Sequence, residues 1–252
     1  MHILITNDDG IHALGLKDLV QSIQSITDQI TIVAPADQRS GASISTNFID
    51  PLKITRVDWP GTTAYTVAST PADCIKAALG ILLPSPPDFI VSGINHGTNA
   101  GRNALYSGTV GGVIEGILRG IPGIAFSYYN DSAKQFPDIK AYIPPIVQYF
   151  IDNPLPTGTL INVNFPEGAV KGIELTRQGK AYHLEDPIHH GHSHYRIAGK
   201  WTSFEEHKES DVFHLSQGYI TCSPLHVNEL TDHTVLNHHK ENFQATLAKY
   251  LQ

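Results

Sequence analysis

From its first residues the chain sets its apolar positions in two periods. Ile3-Leu4-Ile5 is an unbroken apolar run, the pattern of a central parallel strand covered on both faces. Leu16, Leu19, Val20, Ile23 and Ile26 then recur at helical spacing, and Ile30-Thr31-Ile32-Val33-Ala34 reads as a second buried strand. The chain therefore opens as a β-α-β unit. The Gly-x-Gly-x-x-Gly fingerprint of dinucleotide binding is missing between strand and helix, where Gly10 and Gly15 stand alone.

Residues 47–67, with Phe48, Ile49, Leu52, Ile54, Val57, Trp59 and Tyr65 interrupted by Pro51 and Pro60-Gly61, predict a hairpin-like excursion. Thr70-Pro71-Ala72-Asp73 has the parts of a helix start: a capping hydroxyl, a proline in the first turn and an acid three residues after the cap. That helix runs to about Leu83, where Pro84, Pro86 and Pro87 stop it. Further strands are expected at Asp88 to Val91, Gly123 to Ser127 and Leu160 to Phe165, with helices after Thr109 and from Pro137 to about Phe150. After Pro166 the rhythm changes: Gly172 to Tyr182, Tyr195 to Trp201 and Gly218 to Cys222 read as separated strands, followed by a helix from roughly Thr234 to Leu251. The expectation is an α/β fold. Residues 1–166 form a Rossmann-like, doubly wound, mainly parallel sheet, and residues 167–252 a smaller C-terminal β-rich lobe and terminal helix, with a soft boundary between them.

Chemistry gathers where these strands stop. The first run ends in Thr6-Asn7-Asp8-Asp9-Gly10, which puts two adjacent carboxylates at the carboxyl end of a strand, the edge where open α/β sheets bind ligands. Neighbouring carboxylates repel, and in a regular strand they point to opposite faces, so serving one site requires a bend that Gly10 permits. A metal cation accounts for both features; a polar turn that merely ends the strand is the alternative. The loop Asp37-Gln38-Arg39-Ser40-Gly41-Ala42-Ser43 leaves the same edge and puts Ser40 within reach of the site, but for a lone serine an exposed loop hydroxyl is the favoured reading. Ser92-Gly93-Ile94-Asn95-His96-Gly97 ends a third strand, and Asn95 offers a neutral amide oxygen. Ser107-Gly108-Thr109 opens the helix that carries Val113, Ile114, Ile117 and Leu118. Free backbone amides, two hydroxyls and a glycine there make either a phosphate cradle or an ordinary cap with small residues for close packing. His189, His190, His192 and His194 stand among Pro187, Gly191 and Ser193 without a paired cysteine or helical spacing, and read as a solvated loop.

Composition narrows the partners. Over 252 residues the formal charge is −7 and no run of Lys or Arg stands out, so no nucleic-acid polymer is expected. Charged residues are 16%, below the roughly 25% of ordinary soluble domains, which points towards an oligomer. Cys74 and Cys222 form no disulfide framework and read as buried thiols. With no basic-flanked apolar leader and no apolar run near ~18 residues, the expected location is cytoplasmic, away from membranes.

Taken together, Ile3 to Gly10, Arg39-Ser40-Gly41, Ser92 to Gly97 and Tyr106-Ser107-Gly108-Thr109-Val110 resemble the SurE family of survival-protein nucleotidases. Echoes follow at Asn162-Val163-Asn164-Phe165-Pro166, Ser210-Asp211, and Gly218-Tyr219 through Pro224-Leu225. The resemblance implies a metal-dependent phosphatase acting on nucleoside 5′-monophosphates, with the 3′ position left open. It implies one divalent ion per subunit on Asp8, Asp9, Ser40 and Asn95, catalysis by Asp8, Asp9 and Asn95, and phosphate held by Asn95, Ser107, Gly108 and Thr109. That all-oxygen set suits a hard ion, magnesium or manganese. Asn7 supports the carboxylates rather than ligating the ion, and no residue stands out as the general acid. Where this chain has Asn103, many family members carry an acid. Family members exchange the extra lobe and terminal helix between subunits, which implies a homodimer or homotetramer.

Two other classes compete. A phosphoacceptor receiver module also places an acidic pair after its first strand, but it needs an aspartate after the third and a lysine after a later one. Here those places hold Asn95 and Ser127-Tyr128-Tyr129-Asn130. A nucleotide-binding module without turnover is the other, and an assay separates it.

Overall fold

In a computed structural model, which describes residues 1–130, 136, 138–202 and 204–248, the apolar runs become the middle of a nine-stranded sheet. The strands are β1 (Ile3–Thr6), β2 (Ile30–Pro35), β3 (Ile54–Val57), β4 (Thr63–Val67), β5 (Phe89–His96), β6 (Gly123–Tyr128), β7 (Thr159–Phe165), β8 (Gly172–Leu175), β9 (Tyr182–His189), β10 (Tyr195–Thr202) and β11 (Tyr219–His226). The large sheet has the order β3-β4-β2-β1-β5-β6-β7-β11-β8, and β9 pairs with β10 in a separate antiparallel ribbon. From β4 to β7 all pairings are parallel; β3 and β11 run antiparallel to their core neighbours.

Strands buried on both faces need helices on both. Ile3, Ile5, Ile32 and Val91 face Leu16, Leu19 and Ile23 of α1 (Leu14–Ile23), and the same apolar cluster contains Ile143, Val147 and Phe150 of a later helix. On the opposite side Leu4, Val33 and Ile90 join Cys74 and Ile75 of α2 (Pro71–Ala77) and Val113 and Ile117 of α3 (Gly108–Ile117). The period-two alternation of Ile3, Leu4 and Ile5 thus splits one strand between two cores. The doubly wound, mainly parallel α/β architecture expected from the sequence is the one present. Chain order reverses at β1, which lies between β2 and β5, so the switch point of the sheet is the crevice between β1 and β5.

Several elements depart from the sequence reading. Thr70 caps α2 through its hydroxyl as expected, but the helix continues as a widened turn, Ala78–Leu82, before the prolines. Pro137, the expected helix start, lies outside the described residues. A 3₁₀ turn, Asp138–Tyr142, leads into α4 (Ile143–Asp152), whose first turn takes prolines that need no N–H partner. The single strand expected over Gly172 to Tyr182 is β8, a loop and the start of β9. Around the histidine cluster, where a loop was expected, β9 and β10 form a ribbon, with Pro187 opposite Ile197. Both strands of a two-stranded ribbon have an outer edge, where a residue without N–H is tolerated. His189, His190, His192 and His194 are exposed at its tip. Beyond residue 166, β8 and β11 extend the core sheet, while the ribbon, α5 (Asp211–Ser216) and α6 (His233–Leu247) lie outside it. The last expected helical residues, up to Leu251, fall outside the described ones. Among the described residues no helix is long and apolar enough to cross a membrane.

Candidate active site

The end of β1 is built as a tight, braced turn. Gly10 has φ +96°, a conformation that side-chain-bearing residues avoid, and Asn7 Nδ2 donates to Gly10 O at 2.9 Å. Asp8 is buried and Asp9 half-buried in consequence. Asp8 Oδ1 accepts a hydrogen bond of 2.5 Å from the Thr109 hydroxyl at the start of α3. Asp9 Oδ2 accepts one of 3.3 Å from the His96 backbone N–H, with His96 Nδ1 at 3.5 Å.

Two loops and a helix close around this turn. Arg39 N donates to Asp8 O at 2.7 Å, which fixes the start of the Ser40 loop against β1, and Ser40 Oγ accepts from Gln38 Nε2 at 2.9 Å. Ser43 N and Oγ then donate to Tyr106 O and Leu105 O at 3.0 and 2.8 Å, so the same loop lies over the approach to α3. Asn95 stands near the end of β5, beyond a register shift, and its Nδ2 donates to Gly97 O at 2.8 Å. That bond uses one of the two amide N–H groups and leaves the oxygen as the group Asn95 can offer a cation. Ser107 caps α3, accepting from Val110 N at 3.1 Å. Gly108 is required by contact: a Cβ there would lie 2.9 Å from Asp8 Cβ and 3.0 Å from Asp8 Oδ2.

Asp8, Ser40, Asn95 and Ser107 line one cavity of about 600 Å³, and Asp9 adjoins it through His96, another lining residue. Thr109 stands differently from the expectation: it is fully buried, and both its hydroxyl and its backbone N–H face the Asp8 carboxylate, so it holds Asp8 in place. The cavity also takes Thr98, Asn99, Asn103, Tyr106, Tyr182, His183 and Ile197, of which the sequence reading singled out none as a site residue. The asparagines were the available signal. Asn164 Oδ1 accepts from Asn99 N and Thr98 Oγ1 at 2.8 and 2.9 Å, Asn162 Nδ2 donates to Asn99 O at 2.8 Å, and Asn99 Nδ2 donates to Ser127 Oγ at 2.7 Å. Asn103 Oδ1 accepts from His183 N at 2.9 Å and its Nδ2 donates to Thr98 O at 3.3 Å, tying the β9-β10 ribbon to the cleft. Buried Asp211 accepts from Gly101 N, Gly179 N and Val212 N at 2.7–2.9 Å, and so fastens the base of that loop.

Electrostatically the turn has, among the described residues, only the His96 imidazole at 3.5 Å from Asp9 beside it. Burial pushes the Asp8 carboxyl up to about 7, the Thr109 hydrogen bond opposes this and Asp9 adds to it. Among the described residues no Lys or Arg pairs with Asp8 or Asp9. Two carboxylates, a hydroxyl and an amide oxygen at one sheet edge form a donor set that fits a hard divalent cation, whose charge would offset both the burial and the mutual repulsion. Beside it the first amides of α3 can receive a phosphate.

Comparison with known proteins gives one consistent picture. A family model described as "Survival protein SurE" matches residues 3–185. A protein of Protochlamydia amoebophila named 5'-nucleotidase SurE is 47% identical, over 96% of this chain and 96% of its own length. One of the same name from Crocosphaera subtropica is 40% identical, over 92% of this chain and 91% of its own. The crystal structure of the SurE protein from Aquifex aeolicus superposes with a TM-score of 0.82 at 33% identity, covering 95% of this chain and 98% of that one.

Proposed function

This chain belongs to the SurE family, and on that premise we propose that it is a nucleotidase, hydrolysing the phosphate monoester of nucleoside 5′-monophosphates, and of 3′-monophosphates, to nucleoside and phosphate. The observation that carries the reading is the convergence of Asp8, Ser40, Asn95 and Ser107 on one cavity at the switch point of the sheet. Asp8, Asp9, Ser40 and Asn95 would hold one divalent ion per subunit, magnesium or manganese. Bound there, it would supply charge neutralisation on the phosphoryl oxygens and acidify the attacking water.

The chain's own residues do the rest. Thr109 fixes Asp8 and the His96 N–H fixes Asp9, so neither carboxylate needs to reorganise as charge develops. Asn95 would offer its oxygen to the ion and the second N–H of its amide to the phosphate, and Ser107, Gly108 and Thr109 would present the amino end of α3 to the remaining phosphate oxygens. Residues 1–166 would carry the ion and phosphate contacts, and residues 167–252, whose β9-β10 ribbon also lines the cleft, would serve in assembly as a homodimer or homotetramer. The many exposed apolar residues of α6, Val235, Leu236, Phe243 and Leu247, support that reading. A cytoplasmic location fits the two free buried thiols.

Phosphate release from a panel of nucleoside monophosphates, after chelation and after return of magnesium or manganese, tests this proposal. Turnover that requires the ion supports it. Binding of nucleotides without release of phosphate under either ion sinks it.

A further inference from the structure

A second, smaller chamber of about 240 Å³ opens off the cleft, joined to it through Gly97, Thr98 and His183, which line both spaces. It is smaller than the usual pocket for a whole ligand, so it serves as an annex. Its walls are aromatic: Trp201 meets Tyr129 at 6.3 Å and His183 at 5.2 Å between ring centroids, both edge to face. Its polar end is Asn130 and Glu167, where Asn130 Nδ2 donates to Glu167 Oε1 at 2.7 Å. None of these side chains is needed to hold an ion or a phosphate. Aromatic rings set beside a few polar groups make an ordinary arrangement for holding a heterocycle.

We propose that this chamber is the nucleobase subsite and that Glu167, oriented by Asn130, makes it selective for guanine. The inference rests on the nucleotidase reading, which places the phosphate at the Asp8 end of the cleft and so directs the rest of the substrate past Thr98 and His183. A carboxylate only accepts hydrogen bonds. Guanine presents two adjacent donors, N1–H and the 2-amino group, on the edge remote from its sugar, and a carboxylate takes both. Adenine puts an acceptor, N1, at the corresponding place, where it meets the carboxylate oxygen unfavourably. Hypoxanthine keeps N1–H and lacks the amino group, so inosine falls between the two. Asn130 contributes by fixing the carboxylate's orientation before the base arrives, which lowers the ordering cost of binding.

The chain contains two tryptophans, Trp59 and Trp201, so in a Trp59→Phe background the intrinsic emission reports on the chamber alone. The measurement is a titration of that protein with guanosine, inosine and adenosine, none of which carries a phosphate. The expected result is a saturable change with guanosine at a Kd at least about tenfold below that of adenosine, with inosine between. Glu167→Gln, a change at an exposed position that does not threaten folding, should abolish the tenfold preference and leave adenosine within about twofold. No saturable change with any nucleoside, or an unaltered guanosine Kd in Glu167→Gln, overturns the proposal. Turnover separates it from the reading it rests on. Equal kcat/KM for GMP and AMP overturns the guanine subsite alone, whereas guanosine binding with no release of phosphate from GMP supports the subsite and overturns the nucleotidase.

Discussion

Asp8→Asn should make the metal-free protein more stable while removing its response to a divalent ion. Burial is the main reason that the Asp8 carboxyl is pushed from 3.8 to about 7; Asp9 adds to the rise and the Thr109 hydroxyl opposes it. In the unfolded chain the carboxyl ionises at its ordinary value. Between the two values the unfolded state has released a proton that the folded state still holds, so stability falls as pH rises and stops falling above about 7. The gap corresponds to about 4 kcal/mol. Asparagine has the same shape, keeps an oxygen for the Thr109 hydroxyl and carries no charge to desolvate. In urea unfolding with chelator, the variant should exceed the wild type by about 2–4 kcal/mol at pH 8 and by about 1 kcal/mol at pH 4.5. Magnesium or manganese at pH 8 should then stabilise the wild type in proportion to the logarithm of its concentration and leave the variant unmoved. A variant less stable than the wild type in chelator at pH 8, or one stabilised equally by the ion, would refute the reasoning.

Three further changes probe how the site is held. Gly108→Ala puts a methyl group 2.9 Å from Asp8 Cβ, and kcat/KM should fall at least about tenfold with circular dichroism unchanged; an unaltered kcat/KM would mean that the α3 start does not position Asp8. Gly15→Ala places a Cβ 2.0 Å from Ile94 O on the strand that carries Asn95, and should cost about 1–3 kcal/mol in urea unfolding despite the better helix propensity of alanine. Asp211→Asn turns one of the oxygens accepting from Gly101, Gly179 and Val212 into a donor, and should cost about 1–3 kcal/mol and raise KM for nucleotides, read by unfolding and steady-state kinetics.

The acidic turn was legible because its signal is local. Three consecutive apolar residues mark β1 as central, and the carboxylates follow in the same decapeptide. That the Ser40 and Asn95 loops leave the same sheet edge as the acidic turn followed from counting strands, each of which ends in a polar loop. What distinguishes Thr109 from Ser107 is not local: its hydroxyl meets a carboxylate 101 positions earlier, and only the packing of α3 against β1 decides that. The asparagines of β7 had the same fate, since Asn162 and Asn164 look like strand polar residues until the loop at Thr98 and Asn99 is laid against them. Proline and glycine signals misled around the histidines, where a two-stranded ribbon keeps Pro187 on an edge and Gly191 in the turn. Tyr182, His183 and Ile197 were missed because that ribbon reaches the cleft from the other end of the chain.

The proposed monoester hydrolysis depends on one oxygen-ligated divalent ion at the end of β1. Manganese bound per chain, followed by electron paramagnetic resonance alongside phosphate release from GMP and AMP, tests it most directly in the wild type, Asp9→Asn and Asn95→Ala. One ion per chain is expected in the wild type, and in both variants a weakening of manganese binding accompanied by loss of turnover. Turnover that persists in chelator, or manganese bound as tightly in both variants as in the wild type, would contradict it.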